Sequence, residues 1–434
     1  MGIKDFMKVI YLHAPNAIKK LSFKDLFGRK IAVDASMFIY QFLIAIRPDD
    51  LNSVTLTDDT GEATSHLSGL FYRTIKMMEC GIKPVYVFDG KPPELKNKEL
   101  SRRAEKRKEA EYSLAKAKEE GDLETIAKAN KRIIFATSKH TEDSITLLKL
   151  MGVPCVKAPA EAEAQCAAFV KSGVCYAVAS EDMDALTYGT NILIRHLSYS
   201  GSQKEPLLEI HLSKVIQNLE MNMNQLIDLS ILLGSDYCQS IKGIGPKKAV
   251  SMMKKYGTIE KILENLDTKK YTVPDNFCFN EIRQLFSNPN VIDPNTYRLE
   301  WNPPDEQGLI DYLVKKKGFF EDRVRRGIEK LKKFRTLNTQ ERITSFFLKM
   351  NNEKLDVKKT EEKPKIGTYQ DITEKNSDVK LLEDQNEFTF KDYKTEKEHI
   401  CQCSPPDERD SILNSKKRKL EKLSEPMSKK SAKS

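Results

Sequence analysis

Seven acidic residues stand where they could share a divalent cation. Asp34 closes the apolar run KIAVD, Asp89 closes KPVYVFD, and Asp182 and Asp184 follow CYAVAS. Glu161 and Glu163 follow Pro159 in APAEAEAQ, and Asp236 closes ILLGSD. In an open α/β sheet the carboxyl ends of parallel strands converge on one crevice, so acids at several such ends are driven together. Like charges at short range are costly. Hard cations relieve that cost, and an all-oxygen ligand set favours Mg²⁺ or Mn²⁺ over zinc. Two ions about 3.5–4 Å apart activate a water and stabilise the leaving oxygen of a phosphodiester, so hydrolysis of nucleic acid is the indicated chemistry. Each acid alone has an ordinary reading, Asp34 as a helix cap and Asp89 in FDGK as a turn residue. Their recurrence at successive predicted strand ends favours a metal. Glu161 and Glu163 add a constraint, because residues two apart do not share a helix face. Both reach one site only from a first helical turn or just before it, where Pro159 is suited to start a helix.

Basic and aromatic residues supply the complement. Lys96 and Arg103 are seven apart and fall on one helix face. Aimed at the acids they would hold a phosphate as its charge develops; turned outward they are ordinary solvated cations. Tyr40 lies in a strongly apolar helix (Phe38, Ile39, Phe42, Leu43), either as core or as a platform for a base. GIGPKKAV (243–250) lets backbone amides approach a phosphate before a helix start carrying Lys247 and Lys248. It lacks the G-x-x-x-x-G-K-[ST] order of a nucleotide-binding loop, and its alternatives are a helix–hairpin–helix grip on a nucleic-acid backbone or a plain tight turn. QERITSFF (340–347) sets Gln340, Ile343, Phe346 and Phe347 in the spacing of a docking peptide at the end of the globular region.

The elements that must position these residues follow from composition. The 434-residue chain is 39% hydrophobic, enough for a core, and its net charge of +9 favours a polyanionic partner. Short β-rich runs alternate with helical patterns over 1–95 and 140–335, which predicts a mainly parallel α/β sheet flanked by helices. Between them, residues 96–139 hold 13 Lys/Arg against 8 Asp/Glu with few large apolar residues, the texture of long helices standing off the body. Beyond about residue 350 the Lys/Glu/Ser/Asp-rich chain predicts disorder. Its last stretch, 411–434, carries eight Lys/Arg against two Glu and includes KKRK (416–419), a candidate nuclear import patch. The eight cysteines are scattered without a zinc pattern and read as reduced thiols of an intracellular protein. No apolar run approaches the ~18 residues of a membrane span.

Longer motifs carry a resemblance. FGRKIAVDASMFIYQFLIA, SHLSGLFYRTIKMMECGIKPVYVFDGKPPELK, APAEAEA, SEDMDALT, ILLGSDYCQSIKGIGPKKA and Q-x-x-I-x-x-F-F, with MGI at the start, make residues 1 to about 347 similar to the eukaryotic flap endonucleases. These are structure-specific 5′ nucleases of DNA replication and repair, with a PIN-like fold. The resemblance implies metal ligands at Asp34, Asp89, Glu161, Glu163, Asp182, Asp184 and Asp236. It implies two Mg²⁺ per subunit, replaceable by Mn²⁺, and K⁺ at the helix–hairpin–helix. Lys96 and Arg103 would steer the phosphate, and Tyr40 would stack near the cut. Gly234, Gly243, Gly245, Lys247 and Lys248 would grip downstream duplex. Arg73 joins the implied DNA contacts, and Arg47, Thr64, Lys317 and Phe319 match positions that hold a one-nucleotide 3′ flap. Gly318 departs from that pocket's pattern, which has a polar residue there. Gln340, Ile343, Phe346 and Phe347 look like the tether to the sliding clamp, proliferating cell nuclear antigen, which would take up to three monomers per trimer.

The implied organisation is an N-terminal nuclease region at 1–107, overlapped by a helical arch at 96–139. An internal nuclease region at 125–256 includes the helix–hairpin–helix at 236–256. The rest of the body spans 257–339, the docking box 340–347 and a disordered basic tail 348–434. The expected activity is removal of 5′ flaps, with 5′–3′ exonuclease action, in Okazaki fragment maturation and long-patch base excision repair. The expected location is the nucleus, nucleolus or nucleoplasm, with a share in mitochondria. Two other readings stand beside it: a non-catalytic scaffold binding branched DNA and the clamp, and a related 5′ nuclease for bubbles, junctions or ends. A missing carboxylate would have favoured the scaffold, and all seven are present.

Overall fold

The computed structural model describes residues 2–45, 64–198, 206–275 and 277–336. Arg47, the docking residues Gln340, Ile343, Phe346 and Phe347, and the tail at 348–434 lie outside them.

One seven-stranded sheet organises the chain: β1 (Ile18–Leu21), β2 (Lys30–Asp34), β3 (Lys83–Phe88), β4 (Cys155–Lys157), β5 (Ala177–Ala179), β6 (Ile192–Arg195) and β7 (Leu207–His211), in spatial order 1-7-6-5-2-3-4. Strands β6, β5, β2, β3 and β4 run parallel, whereas β7 pairs antiparallel with β6 and β1 antiparallel with β7. The sheet is therefore parallel through its centre, as predicted, and mixed at one edge. The exposed lysines of IKKL hide the edge strand β1 from any reading by apolar runs. β2 and β3 are buried almost throughout, which is what strands covered on both faces require. Alternate residues serve the two faces: Ala32, Val85, Val87 and Val178 enter one core cluster, and Ile31, Val33, Tyr86 and Phe88 the other.

Helices cover both faces. They are α1 (Phe6–His13), α2 (Ala35–Ala45), α3 (Ser65–Glu79), α4 (Asn97–Glu120), α5 (Leu123–Ile133), α6 (Ser138–Leu150), α7 (Ala162–Lys171), α8 (Asp184–Thr187), α9 (Leu212–Leu219), α10 (Met223–Leu233), α11 (Pro246–Tyr256), α12 (Ile259–Glu264), α13 (Phe279–Ser287), α14 (Glu306–Leu309) and α15 (Glu321–Thr336). The basic segment at 96–139 forms the helical pair α4–α5, joined where Gly121 takes φ +72° and Asp122 caps α5 through Glu124 and Thr125 amides. Only small residues of α4, Ala110 and Ala117, are buried, so the pair packs against itself and leaves its charged faces outward. No helix among the described residues is long and apolar enough to cross a membrane.

Candidate active site

Strands β5, β2, β3 and β4 are neighbours, and all the acids but Asp236 sit at or past their carboxyl ends. After β2 the chain builds the sheet toward β3 and β4, then returns to place β5 on the other side of β2. The crevice thus opens at a reversal of strand order, where α/β sheets bind ligands. Ser180 bridges that reversal: its Oγ donates to Asp34 Oδ2 at 2.8 Å and accepts from the Asp182 amide at 3.0 Å. Asp34 Oδ1 accepts from the Met37 amide at 3.0 Å, so Asp34 caps α2 and faces the crevice at once.

On the other side two loops are laced together. The Gly90 amide donates to Ala160 O at 2.7 Å, and a Cβ at Gly90 would run into the Ala158–Pro159 backbone. This approach lets Asp89 Oδ1 accept from the Ala162 amide at 2.8 Å, at the start of α7. Glu161 is the N-cap of α7 and Glu163 lies in its first turn, the arrangement their spacing demanded. Carboxylate oxygens of Asp89, Glu161 and Glu163 fall within 4.8 Å of one another, close enough to hold a metal ion. Asp182, Asp184 and Asp236 complete the crevice. Asp236 comes from outside the sheet, on the loop after α10, and Gly234 turns the chain there at φ +89°.

Burial governs the charges. It pushes the Asp34 carboxyl up to about 7, with Asp89 adding to the rise. Burial likewise raises Glu163 and Asp184 well above the usual carboxylate range, reinforced by Asp34 and by Asp182 respectively. Asp184 Oδ1 is buried with no hydrogen-bond partner, an orphan that an ion would satisfy. The cations have turned inward: Lys96, in the turn Glu94–Lys96 that leads into α4, pairs with Glu161 and lies 3.8 Å from Asp236. Burial would lower the Lys96 ammonium, but Glu161, Glu163 and Asp236 outweigh it and hold it above its ordinary value. Arg103 donates to Asp236 Oδ1 at 2.7 Å and to Glu99 at 2.9 Å. Two cations thus occupy part of the field that these acids create.

The crevice continues beneath the helical pair as a cavity of 1280 Å³, walled on one side by Asp34, Asp89, Glu163, Asp182 and Asp236 and on the other by Lys106, Arg107, Lys128, Arg132 and Phe135. Tyr40 is half-buried against the core and also lines this cavity. The remaining sequence-predicted residues lie outside it. Gly243 (φ +93°) and Gly245, the N-cap of α11, frame a turn in which Lys247 and Lys248 are exposed and Lys248 Nζ donates to Gly243 O at 3.1 Å. Arg73 is half-buried, with its guanidinium over the Phe23 ring. Thr64 and Lys317 are buried, Lys317 pairing with Asp143 at 2.7 Å, and Phe319 packs on the core. Gly318 takes φ +70°, a left-handed conformation that a polar residue adopts less readily.

Several participants escape sequence reasoning. Ser180 could have been suspected as the residue closing a strand next to an acid, while Glu99 looks like any arch carboxylate. Gly2, at φ +66°, lies so close to Asp182 that a Cβ would overlap its carboxylate. Nothing in a short N-terminal segment signals such an approach.

Known proteins resemble this chain over most of its length. The XPG N-terminal domain model matches residues 1–110 and the XPG I-region model residues 152–236, leaving out most of the helical pair. The chain is 53% identical over 347 residues to flap endonuclease 1 of Nematostella vectensis, covering 80% of this chain and 91% of that protein. Against flap endonuclease 1 of Aedes aegypti the identity is 55%, covering 80% and 90%. Among solved structures, flap endonuclease-1 from Methanococcus jannaschii superposes with a TM-score of 0.57 at 37% identity, over 73% of this chain and 96% of that one. The catalytic core of Rad2 in complex with DNA substrate shares the fold, with a TM-score of 0.59 at 24% identity over 76% and 100%. The chain belongs to the flap endonuclease family, the structure-specific nucleases that cut 5′ flaps.

Proposed function

We propose that this nuclease removes 5′ flaps by a two-Mg²⁺ hydrolysis of the phosphodiester. One observation carries the reading: Asp34, Asp89, Glu163, Asp182 and Asp236 line one wall of a cavity whose other wall is the basic α4–α5 pair. The donors fit the group. They are all oxygen, three lie within 4.8 Å of one another, and a buried one has no partner. When bound, such ions supply an ionised water near neutral pH and neutralise charge on the departing oxygen. The chain's own residues do the rest. The α4–α5 cations draw a single strand into the cavity, and Tyr40 offers a ring on which a base stacks. Lys96 and Arg103, which pair here with Glu161 and Asp236, would grip the scissile phosphate, the two-point contact of a guanidinium suiting its oxygens, while the carboxylates would hold the ions.

Around this core we place the finer expectations. Lys247, Lys248 and the glycines of their turn would hold downstream duplex, with K⁺ as an aid. Thr64, Lys317 and Phe319 would accept a 3′ flap, for which Lys317 must share its ammonium with Asp143. The Q-x-x-I-x-x-F-F spacing supports docking to the sliding clamp, and KKRK supports a nuclear location. Replication and repair of DNA are where such an activity is used.

The test is Mg²⁺-titrated cleavage of matched flap, bubble and nicked-duplex substrates, before and after chelation. Flaps should be cut fastest, activity should vanish with the chelator, and Mg²⁺ should restore it, with Mn²⁺ as a substitute. Cleavage indifferent to chelation would remove the metal mechanism, and faster cutting of bubbles would remove the flap assignment.

A further inference from the structure

Two buried tyrosines adjoin the segments that carry Asp184 and Asp236. Tyr188 caps the carboxyl end of α8, its amide donating to Asp184 O at 3.0 Å, so it moves with the turn that carries Asp184. Tyr237 directly follows Asp236. Their hydroxyls meet at 2.8 Å, joining two segments that are 49 residues apart in the chain. The Phe286 ring of α13 packs against both, 5.0 Å from Tyr188 and 5.5 Å from Tyr237 between centroids. Tyr188 and Tyr237 are 3% and 8% exposed, so water does not compete for this bond.

The two ends of the crevice are built differently. Asp89, Glu161 and Glu163 are already drawn to metal-binding spacing, because backbone hydrogen bonds lace their loops together. Among the described residues, Asp182, Asp184 and Asp236 do not reach that spacing. Asp184 and Asp236 repel each other from separate segments, an α8 turn and the loop after α10. The tyrosine hydroxyls link those two segments, one at the end of α8 and the other on the residue after Asp236.

We infer that the Tyr188–Tyr237 hydroxyl pair is a positioning element, which sets the separation of Asp184 and Asp236 and so the affinity of the ion bound at that end. It rests on the two-metal reading above. Groups behind a ligand shell tune affinity in this way by limiting where the ligands can go. The pair touches neither ion nor substrate. It acts through the two aspartates.

Phenylalanine keeps the ring against Phe286 and deletes only the hydroxyl, so Tyr188→Phe, Tyr237→Phe and the double variant separate positioning from packing. Mn²⁺ binding to the DNA-free full-length protein, followed by electron paramagnetic resonance and calorimetry, should show two ions in the wild type. Each single variant should weaken one of them by about 3- to 10-fold, the range expected for loss of one buried hydrogen bond. The other ion should bind as before. Because the bond is shared, the double variant should be no weaker than either single one. Superposable Mn²⁺ titrations for wild type and all three variants, with or without a fall in melting temperature, would overturn the inference and leave the two-metal reading intact. A wild-type protein that takes up fewer than two ions would strike both together.

Discussion

Two acid clusters in this protein are solved in opposite ways. In the first, Asp228 on α10 and Glu260 on α12 share the fork of Arg283 from α13. Arg283 donates to Asp228 at 2.7 and 2.8 Å and to Glu260 at 2.7 Å. The fork holds Glu260 down to about 2. Asp228 Oδ2 also takes the Ile259 amide at 3.3 Å, so this cluster is complete within the chain and fixes three helices. In the crevice, Asp34, Asp89, Glu161, Glu163, Asp182, Asp184 and Asp236 have Lys96 and Arg103 as their ion-pair partners among the described residues, and burial drives several of the carboxyls upward. A charge set that folding could satisfy has been satisfied in one place. In the other it is left short of positive charge, and that shortage is the signature of a ligand still to come.

The two clusters part most sharply under substitution. Asp182→Ala should cut the single-turnover rate on a flap by on the order of 10³ or more, since metal-borne charge stabilisation amounts to several kcal/mol. Flap affinity should stay within a few-fold, because backbone contacts elsewhere carry it. The metal-free melting temperature should not drop, as one of several crowded charges has gone. A rate near wild type would take Asp182 out of the metal site. Arg283→Ala should do the reverse. Stripping the fork from a buried Asp228 should cost roughly 2–4 kcal/mol of stability by denaturant titration. Cleavage per folded molecule at saturating Mg²⁺ should remain within about 2-fold, a window well inside the change that loss of one catalytic donor produces. If Arg283→Ala lost its rate with its stability intact, the two clusters would not be separate.

This contrast also marks what could be read from the sequence. Asp34 and Asp89 were legible because each ends a short apolar run, and Asp182 because it closely follows one; a parallel strand buried on both faces can be little else. Glu161 and Glu163 were legible through their spacing, which only a helix start reconciles with one site. Asp236 was legible as an acid after a buried helix, but its arrival from outside the sheet was not, since nothing local says where α10 points. The inward turn of Lys96 and Arg103 onto Glu161 and Asp236 depends on how the arch sits over the sheet, a tertiary fact. The same holds for Lys317, which the sequence presents as one lysine among several in VKKKG and the fold buries against Asp143. Gly2 and the Tyr188–Tyr237 bond are products of assembly, with no period or motif to announce them, whereas Ser180 at least closes a strand beside an acid.

The smallest effect expected is in stability against pH, where the two clusters should titrate in opposite directions. Glu260 is depressed in the fold, so its contribution is present above the ordinary glutamate value of about 4.3 and is lost as pH falls through about 2. Asp34 is raised, so the folded metal-free protein holds a proton that the unfolded chain has already released. The folded state then binds more protons than the unfolded one, and stability falls as pH climbs from about 4 toward the Asp34 value of about 7. Asp184 and Glu163 push in the same direction, while Lys96 and Arg103 moderate it. A decline of roughly 1–3 kcal/mol is expected between pH 5 and 7.5, or about 2–6 °C in melting temperature for a body of this size. Saturating Mg²⁺ should flatten it, because ions take the place of the protons. Asp34→Asn should lessen it without metal, because the amide has no proton to lose. A metal-free profile with the same slope in wild type and Asp34→Asn would show that the crevice is balanced in itself, and the contrast between the clusters would fall.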